Sequence, residues 1–182
     1  MEPCAQPLFR ELQRFRQRWL WGTLLAQAVL FSAGACYLAF QWVILERPVE
    51  GTCVTLVAVA VAALSWGAVA VLALGKLTTE VRQDGLYVRF APFHKSFRRI
   101  PLEKATDVRV VRYRPIVDYG GWGLRWVPGA RCYTVSGNQG LRVKFGRSYH
   151  ILIGSQQPEE LLAALGSVMP ALRTCPAQPK DP

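Results

Sequence analysis

Histidine is scarce in this 182-residue chain, occurring only as His94 and His150, and methionine also occurs twice. The five cysteines (Cys4, Cys36, Cys53, Cys132 and Cys175) form no C-x-x-C pair, and no carboxylate lies within three residues of either histidine. These spacings exclude the common zinc and dithiol motifs, and the odd cysteine count points to reduced thiols rather than a disulfide framework. There is no Gly-x-Ser-x-Gly elbow, Walker loop, His-Glu-x-x-His pair or dinucleotide fingerprint; Gly121-Trp122-Gly123 lacks the strand-to-helix context of a phosphate loop. The sequence therefore predicts no enzyme, no metal and no cofactor, and it places both histidines at the surface.

Charge is missing from two whole stretches. Trp19 to Leu45 and Gly51 to Gly75, 27 and 25 residues long, contain no Asp, Glu, Lys or Arg, so all 34 charged residues fall in the other 130. A bilayer's hydrocarbon core takes about 20 helical residues, and soluble helices rarely stay charge-free for so long. Both stretches are expected to span a membrane. Only Glu46-Arg47-Pro48-Val49-Glu50 separates them, which requires an antiparallel hairpin with both ends on one side.

Arg10, Arg14, Arg16 and Arg18 precede the hairpin, and Lys76, Arg82 and Arg89 follow it. The positive-inside bias then puts both ends in the cytoplasm. Trp19, Trp21 and Trp42 fit interfacial belts, and no signal-peptide cleavage site is evident. Ala28-x-x-x-Ser32 and Ala63-x-x-x-Gly67 are small-residue pairs suited to packing the two helices together, or to a second copy or another membrane protein. Without an Asp, Glu, His, Lys or Arg inside either span, transport of ions or charged substrates is not expected.

After Lys76 the pattern changes to alternation. Runs at 77–82, 86–90, 96–102, 106–113, 132–136, 141–145 and 149–154 read as strands, with a turn at Asp84-Gly85 and others at 137–140 and 146–147. Pro158, Glu159 and Glu160 then open a helix whose apolar residues, Leu161, Leu162, Leu165, Val168, Met169 and Leu172, recur at helical spacing. The proline-rich segment from Thr174 to Pro182 is expected to be disordered.

Four segments carry a family resemblance: Val81 to Leu86, Ile100-Pro101-Leu102, Tyr119 to Arg125 and Ile153 to Leu161. Together with the hairpin they resemble the bacterial membrane proteins that attach a pleckstrin-homology-like (PH-like) domain to one or two transmembrane helices, over about residues 20 to 168. The resemblance implies a membrane α-helical hairpin plus an α+β domain, the latter a bent barrel of about seven antiparallel strands with a C-terminal helix. The corresponding divisions are a basic cytoplasmic arm at 1–18, the hairpin at 19–75 (spans 19–45 and 51–75), a PH-like cytoplasmic domain at 76–172 and a disordered tail at 173–182. It also implies the bacterial inner membrane as location, but no activity, because most such proteins have no assigned function.

The longest stretch without a clear period, Pro115 to Ala130, holds the candidate site. Arg112, Arg114, Tyr119, Gly120, Gly121, Trp122, Gly123, Arg125 and Trp126 combine cations, aromatics and three glycines that permit sharp turns or close approach. One reading makes them a contact for a partner or the membrane surface; the other folds Trp122 and Trp126 inward as a structural cap. Residues 76–182 carry 17 basic and 8 acidic side chains, enough to draw the domain to anionic lipid at about 1 kcal/mol per nearby basic residue. The sequence thus predicts an interaction module that tethers a membrane-protein partner at the cytoplasmic face. Anionic lipid headgroups are the alternative ligand, favoured if the basic residues, Lys95, Arg98 and Arg99 among them, converge on one pocket. A second copy is a further candidate partner, and nucleic acid is not expected, because no recognition motif is present.

Overall fold

A computed structural model describes residues 7–43, 52–169 and 174–175. The expected linker Glu46 to Glu50, Cys4, the helix continuation through Leu172 and the tail 176–182 lie outside the described residues. The chain forms two compact units, Arg16–Leu74 and the combination of Met1–Phe15 with Gly75–Pro182.

The first unit is a pair of helices, α1 (Arg18–Val43) and α2 (Thr52–Leu74). Both are long and apolar enough to cross a membrane, and only 11% and 6% of their apolar windows are buried, unlike the core helix of a soluble protein. Ala28 and Ala35 of α1 and Ala62 and Val69 of α2 are the buried positions, each pair seven residues apart. That repeat keeps one seam facing the neighbouring helix. The Trp66 indole donates to Ser32 Oγ at 3.0 Å, and the Ser32 hydroxyl donates to the Ala28 carbonyl at 2.8 Å, so these polar groups are satisfied without water. Ala63 and Gly67, expected in the seam, are exposed instead, because the buried face runs through Ala62, one position earlier.

The second unit is α+β. One antiparallel sheet has the order β1 (Phe9–Arg14), β2 (Lys76–Arg82), β3 (Gly85–Ala91), β4 (Arg98–Ile100). The other contains β5 (Asp107–Arg112), β6 (Gly123–Val127), β7 (Ala130–Thr134), β8 (Gln139–Phe145), β9 (Tyr149–Gly154) and β10 (Thr174–Cys175), in the order β10-β5-β8-β9-β7-β6. Here β7 runs parallel to β9 and β10 parallel to β5. Two short segments complete the unit, α3 (Pro115–Tyr119) and α4 (Pro158–Val168).

Alternation explains the core. Leu86, Val88 and Phe90 of β3, Val108 and Val110 of β5, Leu141 and Val143 of β8, and Ile151 and Ile153 of β9 sit two apart and are buried together. Helix α4 lies against β1, β2 and β3 of one sheet and β5 and β8 of the other. Its Leu161 and Leu165 are fully buried, each contributing about 1.5–3 kcal/mol.

Four expectations are corrected. The ten described strands form two open sheets with two parallel pairs, where about seven strands, all antiparallel, are expected. Within the expected basic arm, Phe9–Arg14 is a sheet strand: its inward positions are Glu11 and Gln13, while Leu12 is exposed, so its polarity pattern is inverted and hides it from a periodicity reading. Pro115 to Ala130 is not irregular but contains α3 and the β6–β7 hairpin. Thr174–Cys175, expected in the disordered tail, pairs with Val108 and Arg109 of β5.

The inward residues of β1 are held by hydrogen bonds. The Glu11 carboxylate accepts from the Ser155 hydroxyl at 2.6 Å, the Gln156 backbone N–H at 2.7 Å and the Gln13 amide at 2.9 Å. Gln13 Nε2 also donates to the Gly154 carbonyl at 2.8 Å. The segment Gly154-Ser155-Gln156, conspicuous in the sequence, is thus the dock for the N-terminal strand.

Candidate functional site

The nine residues singled out in the sequence do not converge. Arg112 ends β5 and is exposed; Arg114 precedes α3, its N–H bonded by the Asp118 carboxylate at 2.6 Å. Tyr119 is buried, with its hydroxyl 3.3 Å from His150 Nε2 and its ring edge-on to Tyr113. Gly120 is the left-handed cap of α3 at φ 70°, and Gly121 and Gly123 have φ of 115° and 114°, so the glycines make the turn from α3 into β6. The Trp122 indole donates to the Gly137 carbonyl at 3.2 Å. Arg125 is exposed, and Trp126 is 72% exposed rather than folded inward.

A different set of residues does converge. In β4, Arg98 precedes buried Ile100 by two; in β7, Arg131 precedes buried Tyr133 by two; in β9, Tyr149 precedes buried Ile151 by two. Residues two apart share a face of a strand, so the core faces continue outward at these strand starts into two cations and a phenol. Because β7 and β9 are parallel, with Arg131 opposite Ile151, their starts lie at the same end of the sheet. With Val88, Arg99, Pro101, Lys104 and Phe145 these residues line an open cleft of about 650 Å³. Its floor is apolar and aromatic, and among the described residues no acidic side chain lines it.

The cations differ in their commitments. Arg99 is ion-paired with Glu103 and donates to the Asp84 carbonyl at 2.9 Å. Arg98, Lys104 and Arg131 make none of the carboxylate pairs found among the described residues. The Arg131 guanidinium stacks over the Tyr133 and Trp126 rings, 5.3 Å from each centroid, which orients it without neutralising it. Trp126, one of the nine residues above, thus touches a residue of the cleft.

His94 corrects another expectation: it is buried, 7% exposed, with its ring 5.9 Å from that of Tyr133 and Nδ1 accepting from the Phe90 N–H at 3.4 Å. Burial, then the charges of Arg98 and Arg131, hold its imidazole below the ordinary histidine value. His150 is partly buried and is lowered by burial, then by Arg142 and Lys144. Burial pushes the Cys132 thiol up to about 12, which leaves it protonated and unreactive near neutral pH. Among the described residues no three His, Cys, Asp or Glu side chains group to hold a metal ion.

Sequence reasoning noted Arg98 and Arg99 and passed over Lys104, Tyr133, Phe145 and Tyr149. A cation or phenol two residues ahead of a core position at three strand starts is a signal that could have found Tyr149 and Tyr133; Lys104 and Phe145 carry none. The pairing of β7 with β9, which gathers two of them, is not a local property of the sequence.

No curated protein and no solved structure matches the chain. A family match does extend over residues 2–172, taking in both spans and nearly all of the β unit, and on it the chain belongs to the Family of unknown function (DUF6141).

Proposed function

We propose that this chain is a membrane-anchored binding protein whose cleft takes the headgroups of anionic lipids. The convergence of Arg98, Lys104 and Arg131 with Arg99 on one apolar-floored cleft carries this reading. Clustered cations with no acidic lining suit an anion, and tethering beside a bilayer supplies lipid at high effective concentration. The helices α1 and α2 are read as a transmembrane hairpin in a bacterial inner membrane, with both termini and the β unit cytoplasmic; the arginines before α1 support that orientation. A PH-like descent of the β unit is part of the proposal, supported by one core between two sheets and a C-terminal helix lying on both.

The test is to purify the full chain in a neutral detergent and identify the phospholipids that remain bound. Anionic lipid retained by the wild type should be lost from an Arg98→Gln, Lys104→Gln, Arg131→Gln variant of equal stability. Equal retention by both would refute the reading.

Capture of a protein partner is the second reading, favoured by the exposure of Ile116, Val117 and Trp126, at 58%, 75% and 72%. In-cell crosslinking that recovers one membrane protein with the wild type and loses it with Trp126→Ala would move the function to that surface.

A further inference from the structure

We infer that the ligand of the cleft is a terminal phosphomonoester carried on an apolar chain, rather than a phosphodiester or polyol headgroup. This rests on the preceding assignment of the cleft to anionic lipid. Arg98, Lys104 and Arg131 bring three positive charges without a carboxylate partner among the described residues. A phosphodiester offers one negative charge; a phosphomonoester offers close to two at neutral pH and three terminal oxygens. Only the latter gives each of the three cations its own charge-assisted contact.

The lining also speaks against a sugar, an inositol or a glycerol headgroup. Such headgroups are commonly held by carboxylates and amides, and among the described residues no Asp, Glu, Asn or Gln lines the cleft, the two tyrosine hydroxyls being its side-chain acceptors; Glu103, nearby on the chain, is held by Arg99. What the cleft offers instead is Val88, Ile100, Pro101, Phe145 and Ile151, a surface for hydrocarbon. The volume of about 650 Å³ is within the range that encloses small ligands and takes a phosphate with the first part of its chain.

Two kinds of molecule share this chemistry, a double-chain phosphatidate and a single-chain isoprenyl phosphate. Native mass spectrometry of the full chain in detergent, titrated with dioctanoyl phosphatidate, farnesyl phosphate, dioctanoyl phosphatidylglycerol and inorganic phosphate, separates them. One or both of the first two should bind about ten-fold or more tightly than phosphatidylglycerol, and inorganic phosphate should be the weakest. Lys104→Gln and Arg131→Gln should each weaken phosphomonoester binding by about ten-fold, while Arg147→Gln, at an exposed turn, should not. Equal affinity for phosphatidylglycerol, lost in the cleft variants, would overturn the phosphomonoester and leave the lipid reading standing. Inorganic phosphate matching the chain-bearing probes would overturn the apolar tail. Affinities unmoved by either cleft variant would overturn both readings.

Discussion

Arg14 and Lys76 are paired neighbours across the β1–β2 ladder, although the 61 residues between them include both long apolar helices. A sheet strand cannot pair across a bilayer. If the helices span, the chain must cross an even number of times between Arg14 and Lys76, so the two flanks share a side. Reporters fused at the N-terminus and at the C-terminus should therefore give the same sidedness in cells, and cytoplasmic signal from both is the expected result. Opposite sidedness would be incompatible with the β1–β2 pairing.

Docking of the N-terminal strand depends on Glu11. Replacing it with Ala leaves the Ser155 hydroxyl and the Gln156 N–H without their acceptor in a buried place. Thermal denaturation of the full chain should show a loss of about 2–4 kcal/mol. A loss below about 0.5 kcal/mol would mean that the strand is held by its ladder alone.

Two glycines should respond in opposite directions. A Cβ at Gly140 would stand 2.3 Å from the Ile153 carbonyl oxygen, in the backbone of the neighbouring strand, so Gly140→Ala should cost at least about 3 kcal/mol or abolish folding. Gly166 lies within α4 with open space where a methyl group would stand, nothing coming within 4 Å, and Gly166→Ala should stabilise by about 0.5–1 kcal/mol. Melting curves of the two variants make the comparison.

His94 and His150 both have lowered folded-state values, so the folded protein binds fewer protons than the unfolded chain just below the ordinary histidine value. The stability they contribute is complete above about pH 6.5 and is lost as the pH falls through the unfolded value toward the folded ones. Denaturant titrations between about pH 7.5 and pH 5 should show that decline, and it should shrink in a His94→Gln variant.

His94 also reports on the cleft. Arg98 and Arg131 help to keep it low, so an anion bound between them should raise it. Nitrogen chemical shifts of labelled histidine, followed against pH with and without farnesyl phosphate, should show an upward shift for His94 and little change for His150. No change at His94 would remove the ligand from that end of the sheets.

The legible parts of the molecule are those with strong periods. The two long apolar helices, read from uninterrupted apolar runs, and β2, β3, β5, β8, β9 and α4, read from alternation or helical spacing, are found within a few residues of their expected places. Strand β1 is hidden because its buried residues are a glutamate and a glutamine whose partners lie more than 140 positions away. Strand β6 is hidden behind three glycines that read as loop but serve as the turn into it. The cleft is hidden for a related reason: Arg98, Arg131 and Tyr149 are far apart in the sequence, and the sheets alone place their strand starts together. Glycines and tryptophans draw attention to 115–130 by composition, yet burial divides the aromatics, Tyr119 inward and Trp126 outward, and composition carries no direction.

Strand β1 has a consequence in time. During synthesis its residues leave the ribosome before those of the other described strands, yet their partner β2 follows only after the second long helix, and the Ser155–Gln156 dock later still. For that interval the first strand is a short polar segment with nothing to pair with, and its inverted pattern, with Glu11 and Gln13 where apolar residues would normally stand, gives it little tendency to stick elsewhere. Closure of the first sheet therefore has to wait for β2 and the dock to emerge, and a chain whose helices had been misthreaded would display an unfilled edge on β2.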